Sequence, residues 1–170
     1  MAHAETGPGS PFWRFSLGFY RQPGVAQACI ALQDGCGVDV NIVLFFLWLA
    51  TGRRCVSPDV ARAVCASVAS WRDDVVAPLR AIRRRLKAGS ALIERAAAEE
   101  LRAKVKAVEL ESERLQQEAL FGLAAGLATH YAATIDAAAR ANVAAYEHVL
   151  GRALTPAAIA TLLAALAVPP

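Results

Sequence analysis

The side chains with the greatest capacity for chemistry form a basic cluster, Arg80, Arg83, Arg84, Arg85 and Lys87, just before Gly89. On a helix Arg80, Arg83, Arg84 and Lys87 fall at spacings of three and four, so their charges share one side. Such a surface can grip phosphates or an acidic protein face. Residues 72–87 hold six basic residues against Asp73 and Asp74, a net of +4. A plainer use competes with binding. Basic side chains in a last helical turn offset the negative end of the helix dipole, and arginine stems cover apolar surface. No aromatic residues interleave with the arginines to stack bases, which makes nucleic acid the weaker partner reading. The whole-chain charge of +3, from 18 basic and 15 acidic residues, is too small to indicate nucleic acid by itself.

A second group of polar residues, Asp34, Asp39 and Asn41, flanks the strongest apolar run, residues 42–50. Polar groups at the entrance to a buried helix are candidates for lining a pocket. Metal chemistry finds no support. Asp73 and Asp74 are adjacent, so on a helix they diverge by about 100°, with no third carboxylate one turn on. His3, His130 and His148 form no H-x-x-x-H or E-x-x-H pair, and Cys29, Cys36, Cys55 and Cys65 form no C-x-x-C. The cysteines read as free thiols. No nucleophile elbow, phosphate loop or dinucleotide fingerprint is present, so no cofactor is expected.

These residues must be positioned by helices. Ser10-Pro11 and Ser57-Pro58 each read as an N-cap followed by a first helical residue, predicting starts near 11 and 58. Pro23-Gly24 separates the first helix from a second carrying Val25, Cys29 and Leu32. Asp39 is positioned to cap a third helix, apolar on nearly every side and therefore central. The nine-residue run 42–50 is too short to span a membrane, which takes about 20 residues. A fifth helix carries the arginines, with Pro78 inside its pattern as a kink or late start. Residues 90–127 read as one long amphipathic helix of mixed charge. Its stripe of Leu101, Val105, Val108, Leu115 and Ala119 reads first as core and otherwise as the seat of a partner helix. Alanine-rich helices from 132 and 156 complete the chain, ended by Gly151 and Pro169-Pro170. No segment alternates convincingly as a strand. The fold class expected is all-α, a bundle of roughly seven helices, with a disordered tail at 1–9 and a single domain at 10–170.

Several stretches carry a resemblance: Phe12-Trp13 to Tyr20, Pro23-Gly24-Val25, Leu32-Gln33-Asp34, and Gly37-Val38-Asp39-Val40-Asn41 running into Leu44-Phe45-Phe46-Leu47-Trp48-Leu49. Trp71-Arg72, Val76-Ala77-Pro78-Leu79-Arg80 and Arg83-Arg84-Arg85-Leu86-Lys87 extend it. Together they resemble a family of uncharacterised conserved proteins of proteobacteria. The resemblance implies a small cytoplasmic helical protein and supplies no activity, cofactor or site.

The expected function is a non-catalytic interaction or adaptor protein, with a protein partner or self-association through the Arg80–Lys87 surface, the Leu101–Leu115 helix, or both. The first alternative is a helical small-molecule-binding protein or enzyme with a pocket near the third helix, touching Asp34, Asp39 or Asn41. The second is association with nucleic acid or the ribosome through the arginines. The N-terminal ten residues lack the charged and apolar regions of a secretory signal, and with free thiols this predicts a soluble, cytoplasmic protein with no transmembrane segment.

Overall fold

In the computed structural model, Ser10 and Ser57 each accept a hydrogen bond from the backbone N–H three residues on, at Trp13 and Val60. They open α1 (Pro11–Tyr20) and α4 (Pro58–Trp71). The structure describes residues 9–89 and 91–167, with the backbone alone at Cys36. Residues 1–8 of the expected tail (His3 included), the expected helix start at Ser90, the Cys36 thiol and the Pro169-Pro170 stop lie outside the described residues.

Between and beyond those two helices run α2 (Val25–Cys36), α3 (Val40–Thr51), α5 (Ala77–Ala88), α6 (Arg95–Ala124), α7 (Ile135–Leu150) and α8 (Pro156–Leu166). The protein is an all-α bundle. Among the described residues α4, a π-helical turn (Arg72–Val76) and α5 follow one another without a break, so eight α-helices make seven rods. Pro78 explains the join. Lacking an N–H, it cannot continue the i→i−4 ladder, and the helix shifts register upstream, where Ala77 N–H reaches back five residues to Arg72 O.

The fold departs from expectation in two places. Arg54–Cys55 (β1) and His130–Tyr131 (β2) pair antiparallel, a ladder too short to show as alternation. The long helix spans Arg95–Ala124, shorter at both ends than the pattern 90–127, and α7 begins at Ile135 with Thr134 as its cap.

α3 is the central helix. Residues 41–47, 49 and 50 are buried, enclosed by α1, α6, α7 and β1. Its aromatic rings pack on three neighbours, Phe45 on Phe12 at 5.3 Å between centroids, Phe46 on Tyr146 at 5.7 Å and Trp48 on Phe121 at 5.6 Å. Gly24 enters α2 at φ 80°, and a Cβ there would meet Thr161 Cγ2 at 3.0 Å, so the close seat of α8 on α2 relies on glycine.

Asn142, fully buried on α7, ties β1 to this core. Its Oδ1 accepts from Val56 N at 2.9 Å, and its Nδ2 donates to Phe46 O at 3.0 Å and Arg54 O at 2.9 Å. By contrast α5 buries no residue, and the first half of α6 buries only Ala98 before Glu109. These two helices pack on each other as a hairpin arm leaving the bundle.

Candidate functional site

The N-terminus of α3 meets the middle of α6 at a chain of buried polar side chains. Asp39 caps α3, its Oδ1 accepting from Asn41 N at 2.9 Å, while its Oδ2 accepts from Gln116 Nε2 at 2.6 Å. Asn41 Nδ2 donates to Gln116 Oε1 at 3.3 Å, and Gln117 Nε2 donates to Asn41 Oδ1 at 2.8 Å. All four side chains are buried.

The carboxylate gives this chain a direction. An ionised carboxylate only accepts, so Gln116 must turn its NH₂ toward Asp39 and its oxygen toward Asn41. Asn41 must then offer its NH₂ to Gln116 and its oxygen to Gln117. The end of the chain is therefore an amide oxygen, Gln117 Oε1, which is buried with no hydrogen-bond partner. Burial pushes the Asp39 carboxyl up from the usual range, opposed by the N–H bonds from Gln116 and Asn41 and by the charges of Arg72 and Arg80.

Beside the chain lies a cavity of about 340 Å³. α1 contributes Trp13, Ser16, Leu17 and Tyr20, α3 contributes Val40, Asn41 and Leu44, and α6 contributes Leu110, Glu113 and Gln117, with Arg21 and Gln33 completing the lining. Ser16 Oγ, like Gln117 Oε1, is buried and unpartnered. Asn41, Tyr20 and Glu113 in the same wall are partnered. Tyr20 is hydrogen-bonded to Cys29, and burial raises both, the thiol to about 12. Burial also raises Glu113, against the pull of Arg80, whose Nη2 donates to Glu113 Oε1 at 2.6 Å. The described thiols are protonated at neutral pH, since burial raises Cys65 to about 11 and Cys55 above its ordinary value, as it does Cys29.

The predicted site residues separate into two groups. Asp39 and Asn41 come together at the start of the third helix, Asn41 in the cavity wall and Asp39 behind it. Asp34 does not join them, because it pairs with Arg84 on the exposed side of α2. Two members of the basic cluster, Arg80 and Arg83, turn inward to α6. Arg80 Nε donates to Glu109 Oε1 at 3.2 Å, and Arg83 donates to both Glu109 oxygens, the Nη2 bond at 3.2 Å. Glu109 is buried beneath them. Lys87 and Arg85 remain exposed, with no ion pair among the described residues.

Four contributors escaped sequence reasoning: Gln116, Gln117, Glu109 and Glu113. Their signal is the polar series Glu109, Ser112, Glu113, Gln116 and Gln117 at helical spacings of three and four, which is the packed face of α6. The expected core stripe is a correction. Leu101, Val108 and Leu115 are 51, 55 and 44 % exposed and Ala119 is exposed, while Val105 is half-buried, because α6 turns its polar series rather than this stripe to the rest of the chain.

No group of three or more His, Cys, Asp or Glu side chains able to hold a metal occurs among the described residues. No helix of the described residues is long and apolar enough to cross a membrane. No curated protein and no solved structure matches the chain. A family described as "Protein of unknown function (DUF2390)" matches residues 11–120, a span that takes in α1 through nearly all of α6. It includes every cavity wall, the directed amide chain and the arginine–glutamate pairs, and the chain belongs to this DUF2390 family.

Proposed function

We propose that the chain binds a small, uncharged aromatic molecule carrying one N–H or O–H donor, in the cavity between α1, α3 and α6. The observation that carries this reading is Gln117 Oε1, an acceptor fixed in sense by the buried Asp39 and left without a donor. Leaving a buried polar group unmet costs about 1–3 kcal/mol, so its persistence calls for a partner that the chain does not supply. Trp13 and Tyr20 in the wall favour a flat aromatic body, and the volume is at the small end of the range for ligand pockets. Residues 10–170 acting as one domain, in the reducing cytoplasm of a bacterium, belong to the same proposal. Free Cys29, Cys55 and Cys65 support the compartment.

Titration of the protein with indole, followed by calorimetry and by the amide and indole N–H resonances of Trp13, tests the reading. Indole is expected to saturate with a Kd below about 1 mM, a modest demand for a ligand of its size. N-Methylindole, which has lost the donor, should bind about tenfold more weakly. Leu17→Trp, a change at a partly exposed lining position, should abolish binding. Non-saturating indole, or equal affinity for N-methylindole, overturns the proposal. A second reading, an interaction protein, is favoured by one observation, the exposed leucine and valine stripe of α6.

A further inference from the structure

α6 is 30 residues long, and it leaves Leu101, Val108 and Leu115 exposed at intervals of seven. Seven residues are close to two helical turns, so the three side chains stay within about 40° of one another along the helix. They lie on a different face from Leu110, Glu113 and Gln117, which look into the cavity. We propose that this stripe is the seat of a second copy of the same chain, packed antiparallel against it with Val108 on the two-fold axis.

The surface is complementary to itself in that arrangement. Pairing about Val108 sets Leu101 against Leu115 of the second copy and Leu115 against its Leu101. Ile93, just before α6 and 51 % exposed, falls opposite Leu123, 39 % exposed, in the same register, whereas the exposed Leu110 lies off this face. Charge then selects the direction. Lys104 and Glu111, also seven apart, flank the stripe on one side. In an antiparallel dimer like flanks meet, so each Lys104 comes within one residue of Glu111 of the second copy, twice over by symmetry. Glu100 and Arg114 approach in the same sense. In a parallel dimer opposite flanks would meet, setting Lys104 and Glu111 against the uncharged Val105 and Ser112 side, and these opposite-sign pairs would not form. The charged groups are free to be shared, because their present bonds, Lys104 to Glu100 at 2.7 Å and Arg114 to Glu111 at 2.6 Å, lie on the exposed surface. The dimer also gives the arm a support that its own chain does not, by laying it along the second copy's bundle.

Sedimentation equilibrium on the full chain, up to about 0.2 mM so that weak dimers register, is the test. The expected result is a dimer. Val108→Glu should give a monomer with an unchanged circular dichroism spectrum, since the position is exposed. Lys104→Glu should weaken association about tenfold or more, and Lys104→Glu combined with Glu111→Lys should restore it, because the swapped pair is again of opposite sign. A monomeric wild type, a Val108→Glu protein that still dimerises, or a double swap no stronger than Lys104→Glu alone overturns the proposal. None of these variants touches the cavity, so its indole binding stands or falls separately.

Discussion

Two buried amides on consecutive helices, Asn142 of α7 and Gln117 of α6, are treated in opposite ways by this fold. Around Asn142 the network is closed: one side chain serves Val56 N–H, Phe46 O and Arg54 O, and no polar atom of it is left over. Around Gln117 it is open: a chain of amides starts at a carboxylate and runs to an oxygen that nothing meets. Both sites are equally dry, so burial does not distinguish them. What distinguishes them is the neighbour. Asn142 faces the backbone of β1, which the protein supplies, whereas Gln117 faces a cavity. A closed network is the mark of a joint, and an open one beside a void is the mark of a site.

The comparison breaks most sharply if one substitution is made at both places. Asn142→Leu keeps the volume but strands Val56 N–H and Arg54 O, Phe46 O keeping its bond within α3, and the expected loss is about 3 kcal/mol in urea denaturation. Gln117→Leu, by contrast, removes an unmet oxygen together with a single bond to Asn41. Its stability should stay within about 1 kcal/mol of wild type, while the preference for indole over N-methylindole disappears. Equal losses at the two positions would mean that both networks are structural and that the open end carries no function.

An intermediate effect is expected where the arm joins the bundle. Glu109→Gln leaves Arg80 and Arg83 half-buried with one carboxylate fewer between them, and should cost about 2 kcal/mol. Glutamine there still accepts a bond but no longer offsets the charges. The loss should persist in high salt, because the pair is shielded from solvent. A loss that salt abolishes would place these arginines among ordinary surface charges.

The sequence makes part of this legible. The Ser10-Pro11 and Ser57-Pro58 starts, the cap at Asp39 and the central apolar helix follow from local rules acting within four residues. Asp39 and Asn41 stand out because polar residues there interrupt an apolar context. Gln116 and Gln117 do not stand out, since amides on a helix with as many charges as α6 look solvated. Their partners are 77 and 76 residues away, joined only by the crossing of α3 over α6. The arginines misled for the same reason. Four bases share one side of a helix in the sequence, but the hairpin brings Glu109 and Glu113 beneath Arg80 and Arg83 and leaves Arg84 and Lys87 on the surface. Leu101, Val108 and Leu115 read as core because periodicity reports a face without saying what covers it.

The finest separation of the two networks comes from Asp39→Asn, the change with the smallest expected effect on stability. The substituted side chain can still cap α3 through its Oδ1, but an NH₂ now stands where Oδ2 accepted from Gln116. Gln116 must turn its oxygen to that group, Asn41 must turn with it, and Gln117 must present Oε1 to Asn41 and Nε2 outward. One substitution two side chains removed from the cavity thereby converts its acceptor into a donor. Indole should lose affinity and 1-indanone, which offers a carbonyl instead of an N–H, should gain it. The pH dependence carries a second signature. In the folded wild type the Asp39 and Glu113 carboxyls are raised above their unfolded values of 3.8 and 4.5, chiefly by burial. In the window above those values the folded state holds more protons than the unfolded one, so stability falls as pH rises through it and recovers on acidification. Asp39→Asn removes its share of that slope, leaving a flatter profile than wild type. An unchanged slope together with an unchanged choice between indole and indanone would show that Asp39 does not set the sense of the chain.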